Sequence, residues 1–324
     1  MNYIVGAYAT APSINSNRLV EANFYEKLLE SIKNIRGLEI PFYGDNIHRF
    51  GSNFLLNHIK PSWDNVLSCI PGTMDGLSIN PHFGLASDDI IGRKQAIDMM
   101  NRANQTLKKI NEFYGRKSIL AVQIVTAPST PVIGVSSSQD SLLRSMEEVL
   151  NMDWQGAKIV IEHADKSNKG QPFEKGFLSL ESEIKTLIKL KDLHNVGITI
   201  NWARSAIEGK NVVRPLEHIK LALEYNLLSG LIFSGVSMVD LNYGSWKDTH
   251  MPFTKSYNVK HYEKNSLLNH ENINNTLNLL DINNLDYLGI KINAMPLSEV
   301  NIERRVGLNK DAIYILDNIL EELN

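Results

Sequence analysis

The sequence has a single cysteine, Cys69, so no internal disulfide can form and a reducing, cytoplasmic setting is expected. It has no excess of basic residues. The 33 Lys and Arg stand against 36 Asp and Glu, a formal net charge of −3, which gives no sign of the concentrated basic face that nucleic acid requires. No apolar run approaches the ~18 residues needed to span a bilayer. The opening residues Met1 to Tyr8 lack the basic and long apolar regions of a signal peptide. Neither nucleic acid nor a membrane is therefore an expected partner. There is also no Cys-x-x-Cys, His-Glu-x-x-His or Gly-x-Ser-x-Gly, and no Gly-x-Gly-x-x-Gly or P-loop follows the first apolar run. No cofactor and no metal are expected on these grounds.

What remains is ordinary globular material, 43% hydrophobic and 21% charged over 324 residues. Short apolar runs alternate with amphipathic stretches. The runs read as strands at 3–9, 38–40, 66–70, 119–125, 158–165, 196–201, 230–234 and 287–292. They are continuous and do not alternate, as in a parallel sheet covered on both faces. Between them, Leu19, Val20, Phe24, Leu28, Leu29 and Ile32 recur at helical spacing, and Gly37 is expected to end that helix. Ser87-Asp88-Asp89, Ser138 or Asp140, and Ser179 open further helices, and Pro215 starts another. Residues 70–86 and 202–209 read as loops. Residues 235–268 read as a long loop, of a length that suits a functional lid. Eight strand-then-helix units with no linker predict an α/β fold, a (β/α)8 TIM barrel in one domain over 1–324. The alternative is an open doubly wound sheet.

In such a barrel the chemistry gathers at the C-terminal ends of the strands. Those ends offer Tyr8, Glu39, Gln123, Glu162, His163, Asn201, Trp202, Arg204, Ser234, Lys291 and Asn293. Glu162 closes the run Lys158-Ile159-Val160-Ile161, and a buried carboxylate needs a partner. Lys291 is the expected counterpart, either as one half of a structural ion pair or as one half of an acid/base pair. His163 is expected to be catalytic or to support Glu162. Arg204 suits an anionic substrate group, or else pairs with Glu208 on its own segment. Trp202 would stack on a sugar ring or pack the rim. Glu39, Gln123, Asn201 and Ser234 complete the expected substrate-binding set.

Tyr3-Ile4-Val5-Gly6-Ala7-Tyr8, Ile161-Glu162-His163, Lys175-Gly176-Phe177-Leu178-Ser179-Leu180-Glu181, Ile200-Asn201-Trp202-Ala203-Arg204-Ser205 and Phe233-Ser234-Gly235 resemble a bacterial barrel family, domain of unknown function 4862. The order of strand ends is similar to the wider xylose-isomerase-like superfamily of sugar isomerases, epimerases and related endonucleases. That superfamily commonly sets Glu, Asp, His and Glu around a metal at strands five to eight. The matching positions here are Glu162, Asn201, Ser234 and Lys291, so the resemblance carries the fold and the site's location but not the metal. It implies a metal-independent sugar or sugar-acid isomerase or epimerase. Glu162 would be the acid/base, Lys291 would stabilise an enolate, Asn201 would orient the substrate, and a small sugar or sugar acid, anionic or not, would be the ligand. The alternatives are a Schiff-base lyase using Lys291 and a non-catalytic carbohydrate-binding or regulatory protein. The sequence leaves a homo-oligomer open.

Overall fold

The computed structural model describes residues 1–12, 17–168 and 170–323. Its sheet is a closed barrel in the strand order β1-β2-β3-β4-β5-β6-β7-β8. The strands are β1 (Tyr3–Val5), β2 (Ile35–Pro41), β3 (Asn65–Ser68), β4 (Ile119–Ile124), β5 (Lys158–His163), β6 (Val196–Asn201), β7 (Leu228–Phe233) and β8 (Tyr287–Ile290). The expected (β/α)8 architecture is the one observed. Among the described residues no helix is long and apolar enough to cross a membrane.

The chain forms two compact units, Met1–Glu39 with Ile200–Lys220 and Gly230–Asn324, and Ile40–Thr199 with Leu221–Ser229. In the first unit β1 pairs in parallel with β2 and β8, and β8 pairs with β7, setting Ile4 beside Gly289 and Phe233 beside Ile290. In the second, β4 lies in parallel between β3 and β5, with Gln123 beside Ser68 and Val160. The strands are buried along almost their whole length, which is why they read as unbroken apolar runs.

The helices take α1 (Ala7–Thr10), α2 (Arg18–Ser31), α3 (Ser52–Leu56), α4 (Ile70–Ile79), α5 (Ile90–Tyr114), α6 (Gln139–Leu150), α7 (Leu180–Ile188), α8 (Trp202–Gly209), α9 (Arg214–Glu224), α10 (His270–Leu277) and α11 (Ile302–Leu323). Several starts are the ones the sequence announces. Asp89, Ser138 and Ser179 each accept a hydrogen bond from a backbone N–H of the first turn, supplying a partner that the helix itself cannot. Gly115 ends α5 in the left-handed region at φ 63°.

Four expectations change. The first strand stops at Val5, and residues 7–10 turn into α1, so Tyr8 sits on a helical turn and not on a strand. Gly37 does not end α2, because the helix closes at Ile32 and Gly37 lies inside β2. Residues 70–79 are helical: Pro71 stands in the first turn, where a missing N–H costs nothing, and the Gly72 N–H donates to Phe42 O at 2.8 Å, an approach that leaves no room for a Cβ. Residues 202–209 are helical as well, opened by Asn201 as N-cap.

Cys69, the residue before α4, is fully buried, and burial alone pushes its thiol up to about 12. At pH 8 almost none of it is thiolate, and thiolate is the reactive form. The folded protein is expected to resist a thiol-specific disulfide reagent at that pH, then to release one equivalent once unfolded in guanidinium. Prompt labelling of the native chain would show the site to be open.

Candidate active site

The first unit builds a charged cluster from three segments. The Lys291 ammonium, one residue beyond β8, donates to Glu39 Oε1 at 2.7 Å, and the Tyr8 hydroxyl donates to the same oxygen at 3.0 Å. Lys291 also lies 5.3 Å from the centre of the Tyr8 ring. Glu39 is 1% exposed and Lys291 2% exposed, whereas Tyr8 is only partly buried. Charges this deep are tolerable because they neutralise each other. The second carboxylate oxygen, Glu39 Oε2, is buried with no hydrogen-bond partner among the described residues. Lys291 is thus held by Glu39.

Local sequence explains how the lysine gets there. Its backbone N–H donates to Phe233 O at 3.0 Å, extending the β7 ladder one residue past β8. A Cβ on Gly6 would lie 2.9 Å from Lys291 Cγ and 3.1 Å from its Cβ, so the glycine after β1 is what leaves a passage for the lysine stem.

A second polar chain in the same unit runs from the end of β7. Ser234 Oγ is 2.9 Å from His250 Nδ1, Asp248 Oδ1 is 3.5 Å from that same nitrogen, and the Arg204 Nε–H donates to Asp248 Oδ2 at 3.2 Å. Arg204 therefore meets Asp248. Glu208, the other partner considered for it, stands 3.3 Å from His218 Nε2 and 3.9 Å from Arg214 Nε. Asn201 Oδ1 caps α8 through the Arg204 N–H. Trp202, considered as a stacking platform, is 0% exposed and its indole N–H donates to Thr276 Oγ1 at 3.1 Å. That is the packing alternative: the ring has no open face for a sugar.

The long loop after β7 is anchored along its length. Gly235 and Met251 exchange backbone hydrogen bonds at 2.8 and 3.0 Å. The Tyr243 hydroxyl donates to Asn293 O and accepts from the Met295 N–H, both at 3.1 Å. Burial, then the nearby Glu263 carboxylate, push the Tyr243 phenol above its ordinary range, so it serves as a neutral latch. Glu263 holds Arg304 of α11 at 2.6 Å, and Asp311 accepts from the Lys260 and His261 N–H groups. The segment expected as a lid is a tied-down wall.

In the second unit, His163 Nδ1 is 2.8 Å from Glu183 Oε2 on α7, and Thr126 Oγ1 donates to Glu183 Oε1 at 2.7 Å. His163 therefore meets Glu183 of the helix layer. Neighbouring strand residues point to opposite faces, so Glu162 is directed at the barrel interior, where it is fully buried. Gln123 is buried on β4. Asp165 accepts the N–H groups of Glu174 at 2.7 Å and Lys175 at 3.1 Å, which fixes the loop after β5. Glu183 and Asp248 carry much of both networks and were missed in the sequence. One reads as an ordinary first-turn acid, the other as a loop charge.

The family described as "Domain of unknown function (DUF4862)" matches residues 4–308. The chain belongs to that family. It is 32% identical over 314 residues to the Uncharacterized protein STM3670 of Salmonella typhimurium, covering 97% of this chain and 96% of the other. Among solved structures it is similar to the 3-keto-D-glucoside 4-epimerase YcjR from E. coli, with TM-score 0.56, 12% identity, and coverage of 98% of this chain and 100% of that one. It is also similar to an AP endonuclease, family 2, from Brucella melitensis, with TM-score 0.57, 13% identity, and coverage of 97% and 98%. These likenesses bear out the barrel fold. The two structures carry different chemistries in their titles, so the fold leaves the reaction to the site.

The four positions that the resemblance matches to metal ligands do not suit a divalent cation. Where the superfamily has carboxylates and a histidine, DUF4862 has here an amide that caps α8, a hydroxyl tied to His250, and an ammonium bound to Glu39. A lysine charge at one ligand position opposes a divalent cation, and only Glu162 of the four is a good oxygen donor.

Proposed function

We propose that this chain is a metal-independent sugar or sugar-acid isomerase or epimerase working at the C-terminal ends of the barrel strands. The observation that carries the reading is the buried Lys291 ammonium in contact with Glu39 and Tyr8. A fixed positive charge in a site shielded from water stabilises an enolate oxygen, the task a metal performs elsewhere in the superfamily. In the first unit, Lys291 is assigned to the oxyanion of an enolate. In the second, Glu162, on the interior face of β5, is assigned the acid/base role. Asn201, Gln123 and Ser234 orient hydroxyl groups, and Arg204 and Lys291 favour a substrate with an anionic group. The likeness to a sugar epimerase supports the substrate class. The Schiff-base lyase gains nothing from this geometry, since an ammonium bound to a carboxylate is not a nucleophile.

The test is exchange in D2O. Aldoses, ketoses and aldonic acids are incubated with the purified protein, and carbon-bound deuterium is read by NMR. One substrate class is expected to take up label, with Glu162→Gln slowing uptake at least ~100-fold. A borohydride-trapped adduct on Lys291 would establish the lyase instead. Sugar binding without exchange would make the chain a binding protein, and exchange lost with EDTA and restored by a divalent ion would overturn the metal-free assignment.

A further inference from the structure

We propose that the first unit carries a separate binding site for a phosphate monoester, between α2, α11 and the segment that follows β7. The site does not depend on the sugar-enzyme reading and holds whatever reaction the chain performs.

The space is a cavity of about 580 Å³. Its lining includes Lys27 of α2, Lys260 and His261 of the segment after β7, and Glu303, Gly307, Lys310 and Asp311 of α11. All of these belong to the first unit. Three lysines from three separate segments thus line one space, and their ammonium groups form no ion pair among the described residues. Of the two carboxylates, Asp311 is already engaged. Its Oδ2 accepts the Lys260 N–H at 2.9 Å and the His261 N–H at 2.7 Å, and lies 3.0 Å from His261 Nδ1. With the Asp311 charge met by these donors, three cations less the Glu303 charge leave an excess of two, which a phosphate dianion matches. Lysine binds phosphate as a point charge, whereas planar carboxylates favour the arginine fork, and no arginine is among the described lining residues.

His261 marks where the organic part of the ester goes. Asp311 keeps the imidazole proton on Nδ1, so Nε2 is left to accept a hydroxyl of the ligand. The ring is seated in a gap made for it. A Cβ on Gly307 would lie 2.2 Å from His261 Nδ1 and 2.4 Å from Cε1. Glycine weakens a helix interior, and its place in α11 is explained by the imidazole it admits.

The bland alternative is a set of solvated surface lysines. It accounts for Lys27 or Lys310 taken singly. It does not account for a third lysine delivered by a segment whose backbone is pinned to the same helix, nor for the glycine beneath the ring.

The test is calorimetric titration of the full chain with inorganic phosphate and with glucose 6-phosphate, at constant ionic strength. Glucose 6-phosphate is expected to bind with a Kd of about 1 mM or tighter, and phosphate more weakly. Lys260→Ala/Lys310→Ala is expected to weaken both at least ~10-fold, the loss of two charge-assisted contacts. Glu303→Gln is expected to tighten both about twofold by removing a like charge. These three side chains are exposed, so circular dichroism is expected to stay unchanged. Gly307→Ala displaces the imidazole and is expected to weaken the hydroxylated ester more than inorganic phosphate. Hydrogen exchange is expected to slow at 258–261 and in the first half of α11 when the ester is bound. Undiminished binding by the double lysine variant would put the anion elsewhere and overturn the assignment. Absence of saturable binding by both probes would overturn it too. Neither result touches deuterium exchange into a sugar, which tests the reaction separately.

Discussion

Lys291→Met is expected to destabilise the folded chain by about 3–5 kcal/mol, the usual cost of stranding one charge of a buried pair. Methionine fills nearly the same volume and follows the same passage beside Gly6, so packing changes little. What changes is Glu39. It is 1% exposed, its Oε2 has no hydrogen-bond partner among the described residues, and Oε1 would keep only the Tyr8 hydroxyl of its two donors. The double variant Glu39→Gln/Lys291→Met removes both charges and is expected to recover most of the loss, because a neutral replacement of a buried pair is commonly close to neutral in stability. Denaturant unfolding of the parent, both single variants and the double variant gives the coupling energy directly. Additive losses would show that the pair contributes no coupling. Deuterium exchange separates the two roles: the double variant is expected to be stable but inactive. A stable, active double variant would mean that the ion pair closes the barrel and does nothing for chemistry.

The sequence carried the barrel well because strand burial writes itself into local composition. Ile119–Ile124 and Val196–Asn201 are apolar runs that need no knowledge of their partners to be read. Helix starts at Asp89, Ser138 and Ser179 were equally legible, since an N-cap acts within four residues. Failures came where a distant segment decides the outcome. Gly72 breaks a helix on propensity alone, yet in α4 its N–H reaches Phe42 O and its missing side chain permits that approach. Glu39 reads as misplaced in a strand, but no local pattern identifies Lys291 as its partner, because that pairing spans 252 positions. His250 and Asp248 lie in a segment without periodicity. Their relation to Ser234 and Arg204 is set by the anchoring of Tyr243, Glu263 and Asp311, which no local pattern encodes.

Arg305→Met is expected to cost about 3–5 kcal/mol, from unpaired carbonyls and not from a broken ion pair. Arg305 sits in the first turns of α11, 2% exposed, and burial pulls its pKa below the ordinary arginine value without removing the charge. Its guanidinium donates to Thr10 O at 2.6 Å, to Leu297 O at 3.1 Å and twice to Glu299 O, at 3.0 and 2.5 Å. One planar group thus ties the segment after β1 to the segment after β8. Thr10 continues the tie through its hydroxyl, which donates to Ile292 O at 2.6 Å and accepts from Asn309 of α11 at 3.1 Å. Tyr8 and Lys291 ride on these two segments, so the clamp that stabilises the fold also sets the spacing of the cluster. Methionine leaves several carbonyls facing an apolar side chain. Lysine can satisfy one or two of them but lacks the fork that reaches both segments, so Arg305→Lys is expected to lose about half as much. Urea midpoints ordered parent, Lys, Met at constant m-value check the stability ordering. The functional half is checked with Arg305→Lys at a temperature where it remains folded: interconversion of the sugar should fall with its circular dichroism unchanged. An Arg305→Lys enzyme as active as the parent would confine the clamp to stability.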